Sequence, residues 1–369
     1  MTNNNIDKIY AGTDSVSKVF LGTDLVWPYT PPVPPAPVSG DYLTFEIISG
    51  GTINWNANNS ASTKTISYSI NGGAWTDITS STGGTSFNVN SGDTILFKGE
   101  NNEYSGSSFS NSTSYFILSG NIMSLIYGDD FEGKTALTDL LNFVRLFSNT
   151  KVVNAGGLSL PATTLRYGCY ASMFAGCASL RTAPVLPAIK LAEGCYDGMF
   201  IGCTNLATAP VLPATSLNNC NNCYAAMFRG CSSLRTAPEL PATILAADCY
   251  YAMFSGCTSL TAAPELPATS LDLTCYAKMF AGCTSLRTAP ELPAASLVIG
   301  CYNNMFDGCT SLNYIKCLAT SSLPFSDSYS SYWVRNVASS GTFVKAASMT
   351  NWPAGDSGIP LGWTIINNQ

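Results

Sequence analysis

The sequence predicts a multidomain chain: an N-terminal β ribbon, a small antiparallel β-sandwich, then an α/β repeat solenoid with a β-rich C-terminal cap. Three observations predict it. First, six copies of one word, CYxxMFxGCxxLxxAPxLPAxxL, run from about Leu160 to Leu312. Second, residues 41 to 119 hold short alternating runs separated by turn residues. Third, the stretch Thr30 to Ser39 is dominated by proline and separates these from a short β-prone N-terminus.

The repeat decides the architecture of half the chain. Its Cys-Tyr pairs begin at Cys169, Cys195, Cys223, Cys249, Cys275 and Cys301, and its Gly-Cys pairs end at Cys177, Cys203, Cys231, Cys257, Cys283 and Cys309. The period is 26 residues, except for one copy of 28 that carries the extra Cys220. A unit of this size cannot bury its own apolar face and must stack on its neighbours. On a helix, taking Cys195 as zero, Met199, Cys203, Tyr196 and Phe200 fall at about 40°, 80°, 100° and 140°. The recurrent large residues then share one arc, and the variable positions 197, 198 and 201 lie opposite. The tyrosines therefore read as core and not as a sugar-stacking ladder. The glycine ends the expected helix. The following Leu-x-x-Ala-Pro-x-Leu-Pro is expected to be a brief extended run, because two prolines forbid an ordinary central strand. Paired in parallel at about 4.8 Å, six copies would stack over about 30 Å.

The other elements follow in order. Residues 1–29 hold a duplicated word, Ile9-Tyr10-Ala11-Gly12-Thr13-Asp14 and Val19-Phe20-Leu21-Gly22-Thr23-Asp24, leading to Trp27. Two or three short strands are expected there. A lone ribbon is marginal in water, so it is expected to pair with something, with Ile9, Tyr10, Val19, Phe20, Leu21 and Trp27 as candidate anchor residues. Residues 30–40 read as a semi-rigid polyproline spacer. Within 41–119, strands are expected over Tyr42–Ile48, Thr65–Ile70, Thr85–Val89 and Thr94–Lys98, with Phe45, Trp55, Tyr68, Trp75, Phe87 and Phe97 as core candidates. Residues 120–159 read as an N-terminal cap: Phe143 to Thr150 matches the repeat, with Asn142 and Thr150 in the cysteine positions. The solenoid proper spans 160–318, and 319–369 reads as a C-terminal cap holding Trp333, Phe343, Trp352 and Trp363.

Composition narrows the function. The chain of 369 residues has no histidine, which removes the commonest general base and every Ser-His or Cys-His dyad. The expectation is a non-enzymatic protein without cofactor or metal. Charged residues are only 11% and the net charge is -6 with no basic run, so no nucleic-acid footprint is present. No apolar stretch reaches the ~18 residues of a membrane span. The Met1–Asn5 start has no basic segment leading into an apolar core, which predicts no secretory leader. Twelve of the 14 cysteines belong to the repeat. The two in one copy would lie about 12 Å apart on a helix, too far for a bridge, and read best as buried thiols. Cys220 and Cys223 form the sole CxxC, with no second pair for zinc.

The extended run supplies the candidate binding residues. After the recurrent Leu come Arg181, Ala207, Arg235, Thr261 and Arg287, and after Ala-Pro come Val185, Val211, Glu239, Glu265 and Glu291. Three stacked glutamates form a like-charge ladder that Arg235 and Arg287 are placed to relieve. The low worth of exposed pairs favours a solvated, self-paired ladder. The sharper reading is a ligand or cation strip made of Arg181, Arg235, Arg287, Glu239, Glu265 and Glu291. Asp129, Asp130 and Glu132 are the carboxylates that a glycoside-cleaving enzyme would need, but their adjacency favours a turn.

The words CYAAMFRGCSSLRTAPELPAT and CYAKMFAGCTSLRTAPELPAA resemble the BspA-like leucine-rich repeats of Bacteroidales surface and phage proteins, and so does the ending SGTFVKAASMTNWPAGDSGIPLGWTIIN. The resemblance covers about residues 120 to 369. It implies an α/β leucine-rich-repeat solenoid and adhesion to host matrix or other cells. The words IYAGTDSVSKVFLGTDLVWP resemble short anchoring ends of head and tail proteins of phages that infect Bacteroidales, including crAss-like phages. Together these imply a virion fibre or decoration protein, assembled in the host cytoplasm. It would contact other virion proteins through residues 1–29 and a cell-surface protein or glycan through the repeats. A bacterial surface adhesin is the alternative, and a homo-oligomer is left open because no heptad stretch counts chains.

Overall fold

A computed structural model describes residues 19–21, 24–27, 41–57, 63–102, 104–320, 330–350 and 352–368. The structure is β-rich, spread over several sheets of which none closes into a barrel, and carries a repeating pattern through its second half. Strands β1 (Val19–Leu21) and β2 (Asp24–Trp27) pair antiparallel. Of the candidate anchor residues, Val19, Phe20, Leu21 and Trp27 lie on these strands, whereas Ile9, Tyr10 and the proline spacer lie outside the described residues.

The next strands are β3 (Leu43–Ser49), β4 (Gly51–Ala57), β5 (Thr65–Ile70), β6 (Thr76–Thr79), β7 (Thr85–Val89), β8 (Thr94–Gly99), β9 (Ser107–Ser108) and β10 (Tyr115–Asn121). A four-residue helix, α1 (Ser124–Tyr127), and a single 3-10 turn, Gly128–Asp130, precede β11 (Lys151–Ser159). Six strands form one sheet in the order β11-β10-β3-β8-β5-β6, and three form a second in the order β7-β4-β9. All pairings within the two sheets are antiparallel except β10 with β11. Phe45, Trp55 and Phe97 are fully buried between the sheets as expected. Tyr68 and Phe87 are half-buried and stack on each other with ring centroids 3.9 Å apart. Trp75 departs from the expectation. It is 37% exposed, because the turn after β5 carries it to the surface, where the Lys98 ammonium lies 4.5 Å over its ring.

The repeats depart further from their expectation. The segment from Cys195 to Cys203 is not a helix but a ribbon of successive tight turns, and so is its counterpart in each copy. Its amides alternate in direction. Asp197, Met199, Ile201 and Cys203 donate to the carbonyl three residues back, while Tyr196, Gly198, Phe200 and Gly202 donate to Cys223, Ala225, Met227 and Arg229 of the next copy. The pattern recurs one copy on, with Tyr224, Ala226, Phe228 and Gly230 bonded to Cys249, Tyr251, Met253 and Ser255. Every fourth residue has positive φ, as at Asn222, Ala226 and Gly230, or Asp248, Ala252 and Gly256. A period of four then replaces that of 3.6, yet Cys, Tyr, Met and Phe still face inward. The helical arc therefore named the right core residues on the wrong backbone. The last positive-φ position of each full copy is glycine, from Gly176 (φ 74°) to Gly308 (φ 75°), where any Cβ would be strained.

Stacking the ribbons lines up the rings. One column runs from Tyr104 and Phe143 through Tyr170, Tyr196, Tyr224, Tyr250, Tyr276 and Tyr302 to Trp333 and Trp352. A second runs from Phe109 and Phe147 through Phe174, Phe200, Phe228, Phe254, Phe280 and Phe306 to Trp333. Tyr196 and Tyr224 have centroids 5.9 Å apart at 7°, and Phe200 and Phe228 5.7 Å apart at 7°, within the range of attractive ring pairs. All 14 cysteines are buried and lie outside any disulfide. The thiol of Cys231 donates to the Phe200 carbonyl at 3.1 Å, and those of Cys257, Cys283 and Cys309 repeat the contact one copy on each time. In the first, degenerate copy Thr150 stands in the cysteine position, but its hydroxyl donates within its own copy, to the Phe147 carbonyl at 2.8 Å.

Prolines decide where true strands form. In the full copies the extended run keeps to isolated parallel bridges, such as Thr208 with Thr236 and Thr236 with Ala262, because proline lacks the next donor. Where proline is missing, strands grow. At one end β11 pairs in parallel with β10 and bridges Thr182 through Asn154. At the other, β12 (Tyr314–Cys317), β13 (Thr342–Ala346) and β14 (Thr364–Asn368) form a parallel sheet. Region 120–159 is thus not only a cap: β11 is a strand of the sandwich, and one hydrophobic core runs from Leu43 to Trp363.

Phe228→Ala, in mid-column, is expected to cost about 3–5 kcal/mol, read as a lowered denaturation midpoint at unchanged m-value. Burial raises the Cys177 thiol to about 11, and the Cys249 and Cys257 thiols to about 12, from 9.0. The fold keeps protons that the unfolded chain releases, so this contribution is complete below about pH 9 and declines as pH rises toward 11–12. Thermal unfolding should shift to lower temperature between pH 8 and pH 11, and an unchanged transition would contradict the account.

Candidate functional site

The candidate strip is exposed. Arg181, Arg235, Arg287, Glu239, Glu265 and Glu291 all point to solvent, because the alternation Pro-Glu-Leu turns Leu240 and Leu266 inward and the glutamates outward. The structure does not bring the two charge rows together. Arg235 and Glu239 sit four residues apart on an extended run, about 13 Å along the chain. Among the described residues neither Arg235 nor Arg287 forms an ion pair with the glutamates. The strip's ion pair is instead Glu291 with Lys316, at 2.9 Å, supplied by the proline-free strand β12. The row holds Val185 and Val211, 69% and 76% exposed, where later copies hold glutamate, so it changes from apolar to acidic along the stack. Glu239 and Glu265 border a groove of about 460 Å³ with Pro238, Pro241, Pro264 and Pro267.

Of the carboxylates weighed for hydrolysis, Asp129 is engaged in other contacts. Asp129 accepts a hydrogen bond from the Tyr42 hydroxyl at 2.6 Å and two from Lys98 at 2.8 Å. Lys98, then Tyr42, hold its carboxyl below the usual range, and the contact pushes the Tyr42 hydroxyl up to about 12. Asp130 and Glu132 are exposed in the same turn region. Among the described residues no group of three or more His, Cys, Asp or Glu is arranged to hold a metal ion, and no helix is long and apolar enough to cross a membrane.

The sequence reading missed a groove of about 850 Å³ where the sandwich meets the first ribbons. Its floor is the outer side of three ribbons, with Ala171, Ala175, Gly176 and Gly202. One wall is the loop carrying Ser108, Ser110 and Asn111, fixed to β4 by the β9 pairing and by the Asn56 amide, which donates to the Ser110 carbonyl. Two charged side chains line it, Arg145 and Asp197. Burial raises the Asp197 carboxyl above its ordinary value, and the Arg145 charge partly opposes that rise. No sequence signal marks these positions. Apart from the recurrent Gly176 and Gly202 they are variable, small or polar positions of the repeat, and the sandwich supplies the wall.

Comparison with protein-family models, curated proteins and solved structures finds no match. The reading of the strip yields one energetic test. Lys316→Ala removes an exposed partner, with Glu291 51% accessible, and is expected to shift stability by no more than about 1 kcal/mol in a denaturant titration. A larger loss would mean that this pair organises the strip.

Proposed function

We propose that the chain is a non-enzymatic virion fibre or decoration protein. Its repeats form a solenoid that displays a binding surface to a cell surface or glycan, and residues 1–29 dock it to the particle. The observation that carries the reading is the division within each copy. The inward positions repeat Cys, Tyr, Met, Phe and Leu, while the outward ones vary freely between charge, hydroxyl and small apolar groups. A backbone ladder with a fixed core and a variable exterior suits recognition over a long surface. The resemblance to BspA-like repeats supports adhesion, and that of the N-terminal words supports attachment to a virion.

The test is removal of residues 1–29. The shortened chain is expected to keep its circular dichroism and thermal transition, to bind cells as before, and to be absent from purified particles by immunoblot. Normal incorporation of the shortened chain into particles would overturn the anchoring role.

A further inference from the structure

We infer that the groove between the sandwich and the first three ribbons is a binding site for a neutral oligosaccharide. The inference rests on the display reading and deepens it by naming a ligand class and a place. The first ground is the charge balance of the lining. Arg145 and Asp197 are its two charged groups, one of each sign, so the groove offers no net attraction to a polyanion or a polycation. The second ground is that both are unspent: neither side chain makes a hydrogen bond or ion pair among the described residues, although Asp197 is half-buried. A partly desolvated carboxylate without donors is costly, and ligand hydroxyls would satisfy it. The third ground is shape. The floor of Ala171, Ala175, Gly176 and Gly202 admits the C–H face of a sugar ring closely, and the rim of Ser108, Ser110, Asn111, Ser148, Asn149 and Ser172 meets its hydroxyl edge. The ribbon's own backbone groups are already bonded between copies, so specificity falls to these side chains. The volume lies within the ~300–1,000 Å³ of small-molecule clefts, and the position between two structural units is where such clefts concentrate.

The groove binds and does not cleave. Asp197 is the one carboxylate in its lining, whereas glycoside hydrolysis uses two on opposite sides of the scissile bond.

The test uses the full chain on an array of neutral and charged glycans, with hits measured by titration calorimetry. Asp197→Ala removes the acceptor. Arg145→Asn removes the guanidinium at a residue with φ 56°, a conformation that asparagine tolerates and that Asn304 adopts at the matching place of the last full copy. Each variant is expected to keep the parent's thermal transition and to bind the neutral hits at least about tenfold more weakly. Binding of acidic glycans alone, or unchanged affinity in both variants, overturns the inference. Weakening by Glu239→Gln with the groove variants unaffected also overturns it, by moving the ligand to the glutamate strip. If no glycan binds but the chain still adheres to cells, the groove inference falls and the display reading stands. If the chain adheres to no cell and joins no particle, the display reading falls as well.

Discussion

Alternate amides of each ribbon leave their own copy and bond to the next, and the rest of the structure depends on that arrangement. A helix would satisfy its amides internally and would touch its neighbours through side chains alone. Here half of the ribbon's donors, Phe228 to Met253 for instance, are satisfied only if the following copy is present and in register. A single copy would leave those groups bare, at a cost comparable to a lost hydrogen bond each. Stacking is therefore obligatory, and the register of 26 residues is fixed by backbone as well as by packing.

The register produces the two ring columns and the thiol contacts. With each copy displaced by the same vector, identical side chains meet identical side chains, so one choice of residue is tested at every interface. Tyrosine and phenylalanine stack flat at every step. Cysteine fits beside them because its thiol is small and can reach the carbonyl of the preceding phenylalanine. The columns also end the stack. They begin on Tyr104 and Phe109 of the sandwich, and both reach Trp333, whose indole donates to the Gly358 carbonyl at 2.8 Å. Prolines complete the division of labour by confining strands to the two ends.

Much of this could be read from the residues, and the failures have physical causes. The period, the inward Tyr, Met, Phe and Cys, the extended character of the proline run and the degenerate copy at Phe143 to Thr150 were all legible. Repetition itself marks what must match. The helix was not. A four-residue and a 3.6-residue period place the same five side chains on one side over nine residues, and the positive-φ positions hold Ala226, Asp248 or Lys278 as readily as glycine. Trp75 read as core because aromatic content cannot distinguish a strand from the turn beside it. At the candidate strip, exposure of the glutamates followed from alternation. Lys316 as partner did not, since it lies outside the repeated word. The groove was illegible because its lining is defined by small residues and by a loop some 60 residues away from Ala171 and Ala175.

A surface built this way can change residue by residue without disturbing its support. The central claim is the direction of the ribbon amides. It is tested most directly by through-hydrogen-bond scalar coupling at the amide of Phe228 in deuterated, isotope-labelled protein. The account predicts coupling to the carbonyl carbon of Met253, one copy ahead. Coupling to Tyr224, four residues back, would make the segment a helix and contradict it.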